Sequence, residues 1–156
     1  MRITDLTYLD SVDPIDWARL AAFVDGEGCL MLSSSKTQAD IGNRRVGVTI
    51  SNTNPMLMNW LASVFGGSIC NVRACNQRSK PSFMWTISSR RAERVIHGIL
   101  PYLLLKTEQA KLLLEYRKCM NFGRNQTYRL TAEDLAIRQG LADRLHGLNK
   151  RGVSIQ

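Results

Sequence analysis

Apolar residues return at helical spacing at Trp17, Leu20, Ala21, Phe23 and Val24, while Ala18, Ala22 and Gly26 step four residues apart as a stripe of small side chains. Asp13 suits an N-cap, Pro14 the first helical position, and Asp16 adds a negative charge to the first turn. The pattern predicts a helix that starts at Asp13 and is ended by Gly26 and Gly28. Residues 29–35 then alternate as a strand, with Leu30, Leu32 and Ser34 on one side and Cys29, Met31, Ser33 and Ser35 on the other. After a polar, turn-like stretch over 36–43, residues 44–51 alternate again. Val46, Val48 and Ile50 face a core there, and Arg45, Gly47, Thr49 and Ser51 face out.

Asn54 and Pro55 open a second helix, which runs to a Gly66-Gly67 stop. A second hairpin follows over 68–75 and 82–88, joined by the basic loop 76–81, with Asn71, Arg73, Met84 and Thr86 as outward candidates. Further helices are expected over 89–100 and 102–120. The last, over about 131–148, is marked by a Thr131-x-x-Asp134 box. Residues 1–12, without strong periodicity, read as an N-terminal arm. The prediction is one α+β domain over residues 1–156, with a core at about 13–120 and a C-terminal helical extension. Four antiparallel strands with helices on one face leave the other face to Arg, Asn, Thr and Ser.

Charge sharpens this picture. The 156 residues carry a formal net charge of +8, but residues 1–40 alone sum to −4 and residues 41–156 to +12. Such a balance favours a polyanionic partner, and a two-stranded ribbon bearing Arg, Asn, Ser and Thr suits base edges in the major groove of B-form DNA. Candidate contacts are Ser33, Ser35, Arg45, Thr49, Asn71, Arg73, Arg78 and Lys80. No charged-then-apolar leader opens the chain and no apolar run is long enough to span a bilayer, so a soluble, intracellular protein without a membrane partner is expected. Four cysteines without a C-x-x-C pair, and two histidines far from any paired thiols, argue against a zinc site.

Glu27 lies between two glycines where an apolar helix gives way to a strand, and a carboxylate at such a boundary needs a partner or a metal. The stretch from Leu20 to Gly28, L-A-A-F-V-D-G-E-G, resembles the signature of the LAGLIDADG homing endonucleases and the related intron maturases. The resemblance implies the αββαββα fold and, for a chain with one signature, a homodimer whose signature helices pack through their small faces. Ala18, Ala21, Ala22 and Asp25 would lie at or beside that interface, with Asp25 bracing the helix junction.

It further implies that Glu27 binds an essential Mg²⁺, with the Gly26 carbonyl as a possible further ligand, Mn²⁺ substituting and Ca²⁺ supporting binding alone. Pro101-Tyr102-Leu103-Leu104-Leu105-Lys106 resembles the family's segment with an active-site lysine; taken alone, Lys106 reads as a surface residue. Asn52 falls where relatives often carry a water-ordering Gln, and it reads equally as a turn residue before Asn54. Met56 stands where some relatives carry an arginine, a departure from the pattern. The implied activity is homing-type cleavage of a long pseudo-palindromic site in double-stranded DNA, leaving short 3′ overhangs. An RNA-binding maturase acting on its intron and a non-catalytic DNA-binding regulator stay open beside it. Genes of this kind lie in organellar, archaeal and bacterial introns.

Overall fold

The computed structural model describes residues 5–33, 44–72, 80–121 and 130–150. Within them the chain forms α1 (Pro14–Glu27), β1 (Gly28–Leu32), β2 (Val46–Asn52), α2 (Pro55–Phe65), β3 (Ser68–Val72), β4 (Ser82–Ser88), α3 (Ser89–Ile99), α4 (Thr107–Asn121) and α5 (Ala132–Asn149). Short 3-10 turns precede α1 (Thr7–Ser11) and follow α3 (Leu100–Tyr102). This is the expected α+β class and αββαββα order. The helix starts follow from local chemistry. The Asp13 carboxylate accepts from the Ile15 N–H at 2.7 Å, the Asn54 side chain from the Met56 N–H at 2.9 Å, and Thr131 and Asp134 close a capping box.

The four strands form one antiparallel sheet in the order β1-β2-β4-β3. Its register sorts the side chains into two faces. Leu30, Val48 and Ile87 share one row, and Ile50, Trp85 and Ile69 the next, all on the side covered by helices. The opposite face carries Cys29, Thr49, Thr86 and Ser68 in one row and Ser51, Met84 and Cys70 in another. Burying the first set drives the assembly: Leu30, Val48, Ile50 and Trp85 are wholly inaccessible, each fully buried side chain contributing about 1.5–3 kcal/mol. Phe65 joins the layers, with ring centroids 5.2 Å from Trp17 of α1, 5.6 Å from Trp60 and 6.5 Å from Trp85 of β4. The Trp85 indole N–H donates to the Gly66 carbonyl at 2.7 Å, so its one polar group is satisfied in the core. Gly66 and Gly67 turn α2 into β3 with φ of +69° and +95°, a conformation that favours residues without a Cβ.

Two expectations are corrected. Residues 7–11 are not a loose arm: Leu9 is buried in the core and the Tyr8 hydroxyl donates to the Phe65 carbonyl at 3.0 Å. The helix expected over 102–120 begins only at Thr107. A carboxylate from α1 takes the backbone N–H groups of residues 104–106, and those groups are thereby withdrawn from helical pairing.

The last two helices close the other end of the sheet. Arg117 of α4 pairs with Glu93 of α3 at 3.0 Å, and the Tyr116 hydroxyl accepts from the Arg44 N–H at 3.3 Å. Burial pushes the Tyr116 hydroxyl above its usual pKa. Asn149, at the end of α5, donates to the Leu30 carbonyl at 2.9 Å, tying the extension to edge strand β1. Among the described residues no helix is long and apolar enough to cross a membrane.

Candidate active site and nucleic-acid interface

Glu27 is the last residue of α1 and is exposed. A carboxylate there faces the negative end of the helix dipole, an arrangement that costs stability. Two groups offset it. The Asn52 amide N–H donates to Glu27 Oε2 at 2.6 Å, while the Asn52 oxygen accepts from the Asn54 N–H at 2.8 Å, which fixes the amide's orientation. Asn52 is therefore both a turn residue before the Asn54 cap and a direct partner of Glu27.

The second group is Lys106. Its Nζ donates to the Val24 carbonyl at 2.6 Å and the Gly28 carbonyl at 2.7 Å, which places an ammonium at the C-terminal, negative end of the α1 dipole. Lys106 thus sits beside the helix end that carries Glu27. Asp25 makes this possible. Its carboxylate accepts from the N–H groups of Leu104 (2.7 Å), Leu105 (3.2 Å) and Lys106 (2.9 Å), clamping the loop onto α1. Asp25 is a brace, as expected, but its carboxylate is turned into its own chain and is not available to a partner.

The small-residue stripe divides. Ala22 and Gly26 are exposed and Ala18 is half-buried, whereas Ala21 is wholly buried against the chain's own core, so Ala21 is withdrawn as an interface residue. The two signature glycines also differ. A Cβ on Gly28 would lie 2.6 Å from the Val24 Cα, so the chain itself demands glycine there. A Cβ on Gly26 would meet nothing within 4 Å. Large apolar side chains stand exposed nearby: Leu104 is 88% and Leu105 75% exposed beside the Asp25 clamp, and Met56 is 78% exposed next to a groove lined by Arg19, Phe23, Leu57 and Trp60. Nothing in the sequence marks Leu104 and Leu105 as exposed, because their run has a helical pattern although α4 begins only at Thr107.

On the sheet, Thr49 pairs with Cys29 and Thr86 on the face without helices, and by the same alternation Arg45 and Ser33 point that way. The Ser33 hydroxyl accepts from the Arg45 N–H at 2.8 Å and the Ser33 N–H donates to the Arg45 carbonyl, so these two residues extend the hairpin. Asn71 is corrected: it pairs with Phe83, opposite Asn52, and so lies on the helix-covered side at the exposed edge. Met84 faces outward with Ser51 and Cys70. Lys80 is exposed two residues before β4, and Ser35, Arg73 and Arg78 lie outside the described residues.

Three or more His, Cys, Asp or Glu side chains do not cluster anywhere among the described residues. One chain therefore offers Glu27 and backbone oxygens, too few for a closed all-protein cage. The set does fit Mg²⁺, which takes one or two carboxylates and completes its shell with water and phosphate oxygens.

A four-stranded antiparallel sheet with one bare face, backed by helices, and a signature helix ending in an acid at the sheet's margin define the fold of the LAGLIDADG homing endonucleases. Solved structures with this fold cover most of the chain. The homing endonuclease I-CvuI, in complex with its target in the presence of 2 mM Ca, superposes with a TM-score of 0.70 over 92% of this chain and 87% of its own, at 20% identity. The archaeal intron-encoded homing endonuclease I-Vdi141I, complexed with DNA, gives 0.71 over 91% and 89%, at 15% identity. The LAGLIDADG homing endonuclease I-SmaMI, bound to cleaved DNA, gives 0.64 over 88% of this chain and 45% of its own, at 18% identity. No protein-family model matches the sequence, and no curated protein matches it.

Proposed function

We propose that the chain is a site-specific, divalent-metal-dependent endonuclease of double-stranded DNA that acts as a homodimer and leaves 3′ overhangs. The observation that carries this reading is Glu27: an exposed carboxylate kept at the unfavourable end of a helix, braced by Asn52 and flanked by the Lys106 ammonium. The DNA complexes of I-CvuI, I-Vdi141I and I-SmaMI support the choice of substrate.

In this reading Glu27 and the Gly26 carbonyl hold Mg²⁺, which when bound neutralises phosphoryl charge and makes water a better nucleophile at neutral pH. Asn52 keeps the Glu27 carboxylate in one orientation. Lys106 holds the helix end in place and brings a positive charge to a centre where negative charge develops. The outward sheet face, through Ser33, Arg45, Thr49 and Lys80, lies against the duplex. Arg73, Arg78 and Ser35 are assigned to the same interface from sequence alone.

Homodimerisation is supported by Gly26. Glycine inside a helix costs about 1 kcal/mol relative to alanine, and nothing in the chain itself requires it at this position. A second copy packed along Ala18, Ala22 and Gly26 would require it, would cover Leu104 and Leu105, and would bring a second Glu27 to the axis. That I-SmaMI is about twice the length matched here fits a centre built from two such units.

The test is cleavage of a tiled or randomised duplex library with Mg²⁺, Mn²⁺ or Ca²⁺, by the protein and by Glu27→Gln. Discrete cuts with 3′ overhangs under Mg²⁺ and Mn²⁺, lost in Glu27→Gln while duplex binding in Ca²⁺ persists, are expected. Binding without cleavage in every metal would leave a DNA-binding regulator. Tighter binding of structured RNA than of any duplex, again without cleavage, would put the maturase role in its place.

A further inference from the structure

An open cavity of about 590 Å³ lies where β4 runs straight into α3, remote in the chain from the signature. One side of its wall is apolar, from Leu6 and Ile87 beside Gly67, and the rest is polar and basic: Ser68, Thr86, Ser88, Ser89, Arg90 and Arg91. Of these, Thr86, Ser68 and Ser88 belong to the outward face of the sheet, so the cavity continues the face assigned above to the duplex.

The charges on this wall are not used by the fold. Elsewhere on α3 and α1 the arginines are paired, Arg94 with Asp10 and Arg19 with Asp16. Among the described residues neither Arg90 nor Arg91 pairs with a carboxylate, and the Arg91 Nε is buried with no hydrogen-bond partner. Leaving a charged donor buried and unmatched costs on the order of 1–3 kcal/mol. The backbone at the same place is unusual. Ser89 holds a φ of +59°, which joins strand to helix without a linking residue, and Ser88 makes no side-chain bond to the first N–H groups of α3. Unpaired guanidinium groups, serine hydroxyls and uncapped helix N–H groups around one open cavity are donors that lack an acceptor.

We propose that this cavity seats a backbone phosphate of the DNA duplex, with Arg90 and Arg91 as its charged ligands and Ser88 and Ser89 beside them. The proposal rests on the reading of the chain as a DNA-binding protein. A phosphate seated there fixes where the sheet lies along the duplex and carries no sequence information of its own.

The test is the salt dependence of duplex binding in Ca²⁺, measured by anisotropy for the unaltered protein, Arg90→Ala, Arg91→Ala and, as a control on α5, Arg144→Ala. Each lost phosphate contact should lower the slope of log K against log salt by about 0.9, equivalent to roughly four-fold weaker binding at about 0.2 M salt, for target and random duplexes alike. Arg144→Ala should leave the slope unchanged. Arg91 also packs beside Gly66, so its variant is checked for folding by its melting temperature; Arg90 is exposed and gives the decisive result. An unchanged slope in Arg90→Ala, with normal binding by the unaltered protein, overturns the phosphate seat and leaves the endonuclease reading standing. If the unaltered protein binds no duplex, the DNA reading fails and the seat falls with it.

Discussion

At the scale of single residues the centre is an exchange between helix electrostatics and function. Glu27 gains nothing from its position at the C-terminal end of α1, and among the described residues Asn52 is the side chain that donates to its carboxylate, at 2.6 Å. In the proposed endonuclease Glu27 would hold the metal, and groups that orient such a ligand typically matter by about 10–100-fold in activity. Asn52→Ala is therefore expected to lower the cleavage rate by about 10–100-fold while leaving duplex affinity in Ca²⁺ unchanged, read by single-turnover kinetics beside a binding titration. An equal loss of binding would show that Asn52 acts through the fold of the β2–α2 turn instead. The candidacy of Glu27 was legible because its neighbours in sequence announce it. The Glu27–Asn52 bond was not, because it joins residues 25 positions apart and depends on how β2 lies against the end of α1.

At the scale of elements, the two signature glycines make a paired prediction. Gly28→Ala forces a Cβ to within 2.6 Å of the Val24 backbone and should destabilise the fold by several kcal/mol, seen as a large fall in melting temperature. Gly26→Ala finds open space in the chain and should leave the protomer as stable or more stable by up to about 1 kcal/mol. Its effect belongs to the proposed dimer, where sedimentation should show weakened association. If Gly26→Ala dimerises normally, the stripe is not the contact. The starts of α1, α2 and α5 could be read from the chain because caps are local chemistry. The start of α4 could not: Tyr102, Leu103, Leu104 and Leu105 look helical, and only a carboxylate from 80 positions away shows otherwise. Asn71 failed for a related reason. Alternation gives the two faces of a strand, but which face meets the core is set by register across the 82–88 partner.

For the molecule as a whole, the Tyr116 hydroxyl links α4 to the entry of β2 and makes stability depend on pH. Its folded pKa is raised above 10.0 by burial, so folded chains hold the proton that unfolded chains release. That contribution is intact below pH 10.0 and is lost as the pH climbs through the folded value. Tyr116→Phe should cost about 1–2 kcal/mol at neutral pH, where the Arg44 N–H loses its acceptor, yet show a shallower fall in melting temperature above pH 10.0 than the unaltered protein. Parallel curves would rule Tyr116 out as the source of the alkaline loss. The contrast between an acidic first quarter and a basic remainder was visible in the sequence, and the fold gives it a geometry, with the signature helix behind the sheet and unpaired arginines at the sheet's margin. The stripe of Ala18, Ala22 and Gly26 has one more consequence. In the proposed two-fold dimer every substitution on the stripe is present twice, once on each protomer, so one costing about 1.4 kcal/mol per site would change association by its square, roughly a hundredfold and not tenfold. A gene that carried both halves in tandem would escape that squaring, and its two helices would be free to evolve as different partners.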